Sequence, residues 1–465
     1  MKYKKITNED LLYFKNIFGE ERVISENEIK SEYAHDELGT VFNYPEVLVK
    51  ATHKKEISAL MKYANLHKIP VTVRGSGTGL VGACVPIYGG VLFDLTLMNK
   101  IIELDKTNLT LTVEPGVLIM DIYEYVLKED LFYGPDPGEK SATIGGTVST
   151  NAGGMRAVKY GVTRDWVRGL EVVLASGEII KLGGKVVKNA SGYSLKDLLI
   201  GSEGTLGIVT EIILKLTVKP VKMISLLAPF NSKEEAILAA PKLISNHVIP
   251  TAVEFFLNDS LLYSERYLGK KLPHNNYPAY LLLSYDGYHE EVVDKDVRKA
   301  SEMLINEFNA IDVFLIDTEE RRKAIWSVRD GFLEAIKLST TLIDECDVVL
   351  PRAKINEFLT YVDNLSSELK VRIPYFGHLG DGNLHIYFCK DDLDEKKWQE
   401  TLKRGFLKLY DKAAIFGGLV SGEHGIGFAK KEYLKNQLKS EQLTIMRAIK
   451  KAFDPHEILN PGKVI

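Results

Sequence analysis

The sequence predicts a mixed α/β first half followed by an α+β second half, and three observations carry that prediction. Short strands alternate with helices from about residue 45. Of the 37 glycines, 22 lie between Gly75 and Gly207. Beyond Pro220 the elements lengthen and glycine thins out. Alternating strands and helices pack as mixed layers, whereas long helices set among strands belong to α+β architectures. Glycine accepts positive φ and lets backbone approach a ligand closely, so its enrichment marks tight turns, a backbone-lined cofactor site, or both.

In chain order, residues 1–44 read as two amphipathic helices forming a lead-in. One is capped within Ile6-Thr-Asn-Glu-Asp10 ahead of Leu11, Leu12, Phe14 and Ile17, and the other opens at Ser25-Glu-Asn-Glu28. A strand over 47–52, a helix over 54–68 and a β-branched strand over 70–73 make a βαβ-like opening. Strands follow near 90–95, 109–114 and 170–180, with turns between them, and this half ends near Lys219-Pro220. The second half reads as a strand over 224–229, a helix over 233–246, a strand over 279–285 and a charged helix over 290–309. A last helix over 440–453 leads to Asp454-Pro455 and the tail Leu459-Asn-Pro-Gly462.

Composition narrows the function classes. At ~150 residues per domain, 465 residues imply two or three domains. The 59 basic and 63 acidic residues give a net charge of −4 with no block of like charges, which disfavours a nucleic-acid or anionic-membrane surface. No apolar run is long enough for a transmembrane segment and the start is polar, so a cytoplasmic location is expected. Three cysteines without a CxxC pair exclude a disulfide framework and an iron–sulfur cluster held by this chain alone.

The chemistry-bearing residues fall into two groups. Arg74-Gly-Ser-Gly-Thr-Gly-Leu-Val-Gly82 satisfies GxGxxG after a strand, but Pro86 and Gly89-Gly90 argue against the helix a Rossmann fingerprint needs. Its glycines can still form an anion nest beside Arg74, Ser76 and Thr78, or simply a wide turn. Pro135 to Gly154 and Asn189 to Gly207 add two further small-residue clusters, readable as surface loops or as a cradle for a large planar ligand. In the second half, Asp381-Gly382 between apolar runs predicts a two-residue hairpin that pairs His378 with His385. Cross-strand partners share a face, so the two imidazoles can hold one ion, with Glu423 or His424 as third ligand and the other toward substrate. Two imidazoles and a carboxylate suit Zn, Fe, Mn or Ni. Arg329 beside Trp326 is a candidate carboxylate clamp, or an exposed helix arginine paired with Asp330 or Glu334. The other seven of the ten histidines read as surface or core residues.

These motifs, together with Gly201-Ser-Glu-Gly-Thr-Leu-Gly207, Gly422-Glu-His-Gly425 and Asp454-Pro to Asn460-Pro-Gly462, resemble the FAD-linked 2-hydroxyacid dehydrogenases of the vanillyl-alcohol-oxidase and p-cresol-methylhydroxylase fold. D-lactate dehydrogenases, the flavoprotein subunit of glycolate oxidase and D-2-hydroxyglutarate dehydrogenase belong to that family. The resemblance implies a two-lobed FAD-binding domain over 45–220 and an α+β cap domain with an antiparallel sheet over 221–428. It also implies a C-terminal segment, 429–465, returning to the FAD domain. The FAD pyrophosphate would lie on Arg74, Gly75, Ser76, Gly77, Thr78 and Gly79. Adenine and flavin would meet Pro135, Asp136, Gly138, Thr143, Gly146, Asn151, Gly153, Glu203, Ile208 and Asn460. The histidine that carries flavin covalently in some relatives is missing, since none occurs from Ile69 to Gly154, so FAD would be noncovalent.

The same resemblance makes His378, His385 and Glu423 the ligands of a divalent metal (Zn, Fe or Mn), His424 the base, and Arg329 the grip on the substrate carboxylate. It implies oxidation of a short D-2-hydroxy acid, D-lactate before glycolate, by metal-assisted hydride transfer or by carbanion transfer. Where the 2-hydroxyglutarate enzymes carry a hydroxyl and a lysine for the distal carboxylate, this chain has Leu333 and Glu345, which disfavours a second carboxylate. The implied electron acceptor is a separate electron-transferring flavoprotein, with an iron–sulfur subunit or a quinone as rivals, and the oligomeric state is left open, a homodimer being one assembly. A metal-free oxidase and a non-catalytic flavin-binding subunit are the competing readings.

Overall fold

The computed structural model describes residues 3–272 and 275–465. It divides into two units. One comprises Met1–Ala152, Val162–Val218 and Glu423–Ile465, the other Gly153–Gly161 and Lys219–Gly422. Among the described residues no helix is long and apolar enough to cross a membrane.

The first unit holds two main sheets, of four and five strands, besides a two-stranded ladder of Leu131–Phe132 with Thr217–Val218. In the four-stranded sheet, Val47–Lys50, Val91–Asp94 and Val71–Arg74 run parallel, and the helix Lys54–His67 makes the crossover. Apolar strands covered on both faces explain the unbroken Val-Leu-Val and Val-Leu-Phe runs. Their core joins Phe14 and Phe18 of the helix Asn8–Phe18 to Ile57, Leu60, Met61, Val71, Val91 and Phe93. The second lead-in helix is not there. Val23–Ser25 is instead a strand paired antiparallel with Val47–Val49, and Glu26–Glu28 is a single 3-10 turn. An open sheet edge offered that β-branched segment a ladder of backbone partners, which outweighs a weak helix start. The larger sheet is antiparallel, in the order Ile101–Asp105, Thr110–Val113, Ile208–Lys215, Val167–Val173, Ile179–Gly183. The C-terminal tail closes the first sheet, with the Asn460 N–H donating to the Val71 carbonyl at 2.7 Å.

The helix Asn8–Phe18 is anchored by Asp10, which completes a capping box with Thr7 and accepts hydrogen bonds from Lys4 (2.6 Å) and Tyr63 (2.7 Å). Burial opposes its charge, but the hydrogen bonds from Lys4, Tyr63 and Thr7 prevail and hold the carboxyl far below the usual aspartate range. A depressed folded pKa stabilises above the unfolded value and loses that stabilisation as pH falls below it. Asp10→Asn is therefore expected to cost about 1–3 kcal/mol at neutral pH. Melting curves from pH 6 to pH 3 should show the gap between wild type and variant closing on acidification; a constant gap would refute this.

The second unit is built on a seven-stranded antiparallel sheet. Its order is Phe314–Ile316, Lys222–Phe230, Ala279–Gly287, Ala252–Leu257, Tyr375–His378, Asn383–Cys389, Ile343–Val349. Helices Lys233–Ser245, Glu290–Asn306, Ile355–Leu369 and Glu395–Ile415 each bury an apolar stripe. Helix Glu319–Asp330 joins an aromatic cluster of Phe256, Tyr280, Phe332, Phe376 and Tyr387 through Ile325 and Val328.

Candidate active site

In the first unit the glycine clusters converge. The strand Val71–Arg74 ends in the loop that begins at Gly75, where a Cβ would run into the Thr143 hydroxyl. Thr143 is the N-cap of the helix Ile144–Thr150, its Oγ1 accepting from the Gly146 N–H, and Ser76 Oγ donates to the Ser141 carbonyl at 2.7 Å. A cavity of about 330 Å³ opens along this loop, lined by Arg74, Gly75, Ser76, Gly77, Thr78 and the lead-in residues Tyr33 and Asp36. Side-chain-free backbone at Gly75 and Gly77, with hydroxyls at Ser76 and Thr78, fits an anionic ligand lying against N–H groups. The Arg74 side chain departs from expectation. It turns beneath the loop, where Nη1 and Nη2 donate to the His35 and Glu32 carbonyls (2.7 and 2.8 Å), and a Cβ at Gly77 would strike it. With its guanidinium engaged by these two carbonyls, Arg74 shapes the loop that lines the cavity.

Asp136 is buried and accepts from Lys140 (2.5 Å) and Tyr123 (3.2 Å), while Gly138 is open on the side a Cβ would take. Asn151 ends its helix at φ +54 and accepts from the Arg164 N–H at 2.9 Å. Ile208 starts a buried strand next to Glu203, whose carboxylate accepts from the Ile426 and Gly427 N–H groups (2.8 and 2.7 Å). Burial pushes that carboxyl up despite the two donors. Asn460 joins the parts, its Nδ2 donating to the Glu203 and Ala83 carbonyls (2.7 and 2.9 Å). Gly79 meets the lead-in, its carbonyl accepting from Glu37 N, whereas Gly153 belongs to the second unit. Asp36 had no signal in the sequence, yet it accepts from the Gly82 N–H at 2.5 Å and so helps set this loop. Glu423 and His424 open the C-terminal segment of this unit, just ahead of the turn that Glu203 holds.

In the second unit the two histidines meet, though not in the register that a two-residue turn implies. His378 pairs with Asn383 and Phe376 with His385, so the turn spans Leu379-Gly-Asp-Gly382. Leu379 N donates to the Val253 carbonyl and the Gly382 carbonyl accepts from Leu350 N, which draws both sides of the turn onto neighbouring strands. A shift of two residues keeps every side chain on its face, so His378 and His385 become diagonal neighbours instead of direct partners. Their Nε2 atoms are 3.3 Å apart.

Each ring is held from behind by a buried carboxylate. His378 Nδ1 is 2.6 Å from Glu254 Oε1, and His385 Nδ1 is 3.2 Å from Glu345 Oε1. An ionised carboxylate only accepts, so the geometry assigns the ring protons to Nδ1 and leaves two Nε2 lone pairs facing each other. Opposed lone pairs in a buried site fit a shared cation, and a carboxylate behind each imidazole is how histidine ligands are oriented. Glu254 also accepts from Arg329 Nε at 2.6 Å. Burial alone would raise the Glu254 carboxyl, but the Arg329 guanidinium and His378 hold it below the ordinary glutamate value. The Arg329 guanidinium lies 4.9 Å from the Phe376 ring centroid, and its Nη2 is buried with no partner among the described residues. The exposed-arginine reading is thereby excluded, as Arg329 is 9 % exposed. Glu345 stands opposite Tyr387, whose hydroxyl is pushed well above its ordinary value by burial and then by Glu345. Asn383 Nδ2 donates to Asp347 Oδ1 (2.5 Å), and Asp347 Oδ2 accepts from Ser421 Oγ and Gly422 N (2.7 and 3.1 Å), so the chain leaving this unit is tied beside the hairpin.

Sequence reasoning missed Glu254. The signal that could have found it is a lone carboxylate inside the apolar run Ala252-Val-Glu-Phe-Phe-Leu257, where a charge is tolerated only with a partner. Of the seven histidines set aside, His274 lies outside the described residues.

Two family models match the chain, "FAD binding domain" over residues 45–183 and "FAD linked oxidases, C-terminal domain" over residues 219–464. A D-lactate dehydrogenase of Anaerostipes hadrus is 48% identical, with 99% of this chain and 98% of the relative covered. Glycolate oxidase subunit GlcD of Bacillus subtilis (strain 168) is 40% identical over 96% and 95%. Among solved structures, p-cresol methylhydroxylase with substrate bound superposes with a TM-score of 0.80 at 18% identity, covering 98% of this chain and 96% of that one, which establishes the shared fold. A glycine-lined cradle in one unit, a buried histidine pair in the other and sequence similarity along nearly the whole chain agree: this protein belongs to the FAD-linked oxidases.

Proposed function

We propose that this chain oxidises a short D-2-hydroxy acid, D-lactate to pyruvate in the first instance, and passes the electrons to a separate protein such as an electron-transferring flavoprotein. The observation that carries the reading is the pair of opposed His378 and His385 Nε2 atoms, 3.3 Å apart, on a sheet that also carries Glu254 with Arg329 fixed on it. FAD, held noncovalently on the Arg74–Thr78 loop and the 135–151 and 203–208 segments, supplies the two-electron acceptor for the hydride from C2. A divalent cation on His378 and His385, with Glu423 as third ligand, supplies the positive charge that favours the substrate alkoxide.

The chain's own residues do the rest. Arg329 presents Nη atoms to the substrate carboxylate while Glu254 holds its Nε. Glu254 and Glu345 keep the Nδ1 protons on His378 and His385, so each offers a neutral Nε2. His424 takes the hydroxyl proton as C2 is oxidised, and is the adjacent residue to the third ligand. The buried negative charge of Glu345 disfavours a substrate with a second carboxylate, which supports lactate over a dicarboxylic hydroxy acid. Three separate free cysteines supply too few thiolates for a cluster, which supports an acceptor outside this chain.

The test is an anaerobic titration of the purified flavoprotein with D-lactate, L-lactate, glycolate and D-2-hydroxyglutarate, following flavin absorbance with and without a chelator. D-lactate is expected to bleach the flavin and prior chelation to prevent it. Bleaching by glycolate alone would move the assignment to a glycolate dehydrogenase, and no bleaching by any of the four after adding metal would refute the reading.

A further inference from the structure

We infer that Glu254 is a positioning residue that couples the two halves of this site: one carboxylate sets both the nitrogen that His378 offers to a cation and the direction in which Arg329 meets the substrate. The inference rests on the reading under Proposed function and adds to it a residue and a linkage.

Glu254 lies mid-strand in Ala252–Leu257, directly across the sheet from His378 on one side and Leu282 on the other. It is 1 % exposed, among residues that are otherwise Ala, Val, Phe, Phe and Leu. A carboxylate there is costly unless both oxygens are matched, and both are. Oε1 takes the His378 Nδ1 proton at 2.6 Å and Oε2 takes the Arg329 Nε proton at 2.6 Å.

Each contact has a directional consequence. Because the carboxylate accepts, His378 is locked in the tautomer whose lone pair is on Nε2, toward His385. Because the arginine contact is made through Nε, the terminal edge of the guanidinium stays free, and Nη2 is buried without a partner among the described residues. The Phe376 ring, with its centroid 4.9 Å away, covers the guanidinium and restricts its rotation. Glu345 serves His385 in the same way at 3.2 Å, whereas Arg329 is held on Glu254, so the coupling belongs to Glu254.

Charge drawn toward Nε2 of His378 strengthens its Nδ1–H···Oε1 bond and stiffens the carboxylate on which Arg329 hangs. Cation binding and carboxylate binding therefore promote each other, and the linkage is reciprocal.

The experiment compares wild type with Glu254→Gln, Glu254→Asp and Arg329→Lys. Zn²⁺ affinity of the metal-stripped flavoprotein is measured by competition with a chromophoric chelator. KM and kcat for D-lactate are measured separately at saturating Zn²⁺ with an artificial dye acceptor. Glu254→Gln is expected to weaken Zn²⁺ binding about 10- to 100-fold, the range found when the partner of a histidine ligand is lost. It is also expected to raise KM for D-lactate by roughly the tenfold that one misaligned charged hydrogen bond represents. Arg329→Lys should raise KM and leave Zn²⁺ affinity near wild type. Glu254→Asp keeps the charge that buried Arg329 needs but is one methylene short of spanning both partners, so it should show both defects and decides the matter if the glutamine variant does not fold. A folded Glu254 variant with only one of the two defects, or neither, overturns the inference while the functional reading stands. A wild type that takes up no Zn²⁺ removes the functional reading and this inference together.

Discussion

His378→Gln is expected to lower the rate of anaerobic flavin reduction by D-lactate by about 10³-fold or more while FAD stays bound. Losing the charge that favours the alkoxide removes several kcal/mol of transition-state stabilisation, and each 1.36 kcal/mol is tenfold. The cofactor should remain because His378 stands on the antiparallel sheet of the second unit, whereas the glycine loops that line the cradle belong to the first. Stopped-flow absorbance after mixing with D-lactate reads the rate, and the flavin-to-protein ratio reads the cofactor. An unchanged reduction rate would sink the metal-assisted reading and leave the metal-free oxidase in its place.

Arg329→Lys is expected to cost roughly ten- to a hundredfold in kcat/KM for D-lactate, carried mainly by KM, as one charged hydrogen bond is worth about 1.5–3 kcal/mol. Lysine retains a charge for Glu254 but presents a compact ammonium in place of the planar fork, so the fixed bidentate grip on a second carboxylate is lost. Lactamide, which has no carboxylate, provides the comparison: the preference of wild type for lactate over lactamide should shrink by the same factor in the variant. If steady-state kinetics show the preference intact, Arg329 does not touch the carboxylate.

Much of both units was legible because it is written in short-range signals. Turn residues and periodicity located the helices at 54–67, 233–245 and 440–453, the three parallel strands of the four-stranded sheet, and the strands at 110–113, 222–230 and 279–287 to within a few residues. They left Ile101–Asp105, Ala252–Leu257, Phe314–Ile316 and Ile343–Val349 unassigned and ran Val167–Val173 and Ile179–Gly183 together as one strand over 170–180. Alternation put His378 and His385 on one face of a hairpin, and a register error of two residues did not disturb that, since the side-chain period is two. The second lead-in helix failed for a reason no local pattern contains: Val23–Ser25 had a sheet edge to join.

What composition, spacing and turn chemistry determined on their own was the order of the elements, the glycine-lined loops and the face on which the histidines stand. The tertiary structure alone decided which groups act on which. It turned Arg74 beneath its loop onto the Glu32 and His35 carbonyls, tied Glu203 to a backbone turn more than two hundred residues away, and set Glu254 between His378 and Arg329 from a strand 124 residues before the histidine. Propensity and periodicity act over a few residues, so one chain reports them directly. The partner of a buried charge is chosen by sheet order and by the cost of leaving that charge unpaired, and both exist only once distant strands have come together.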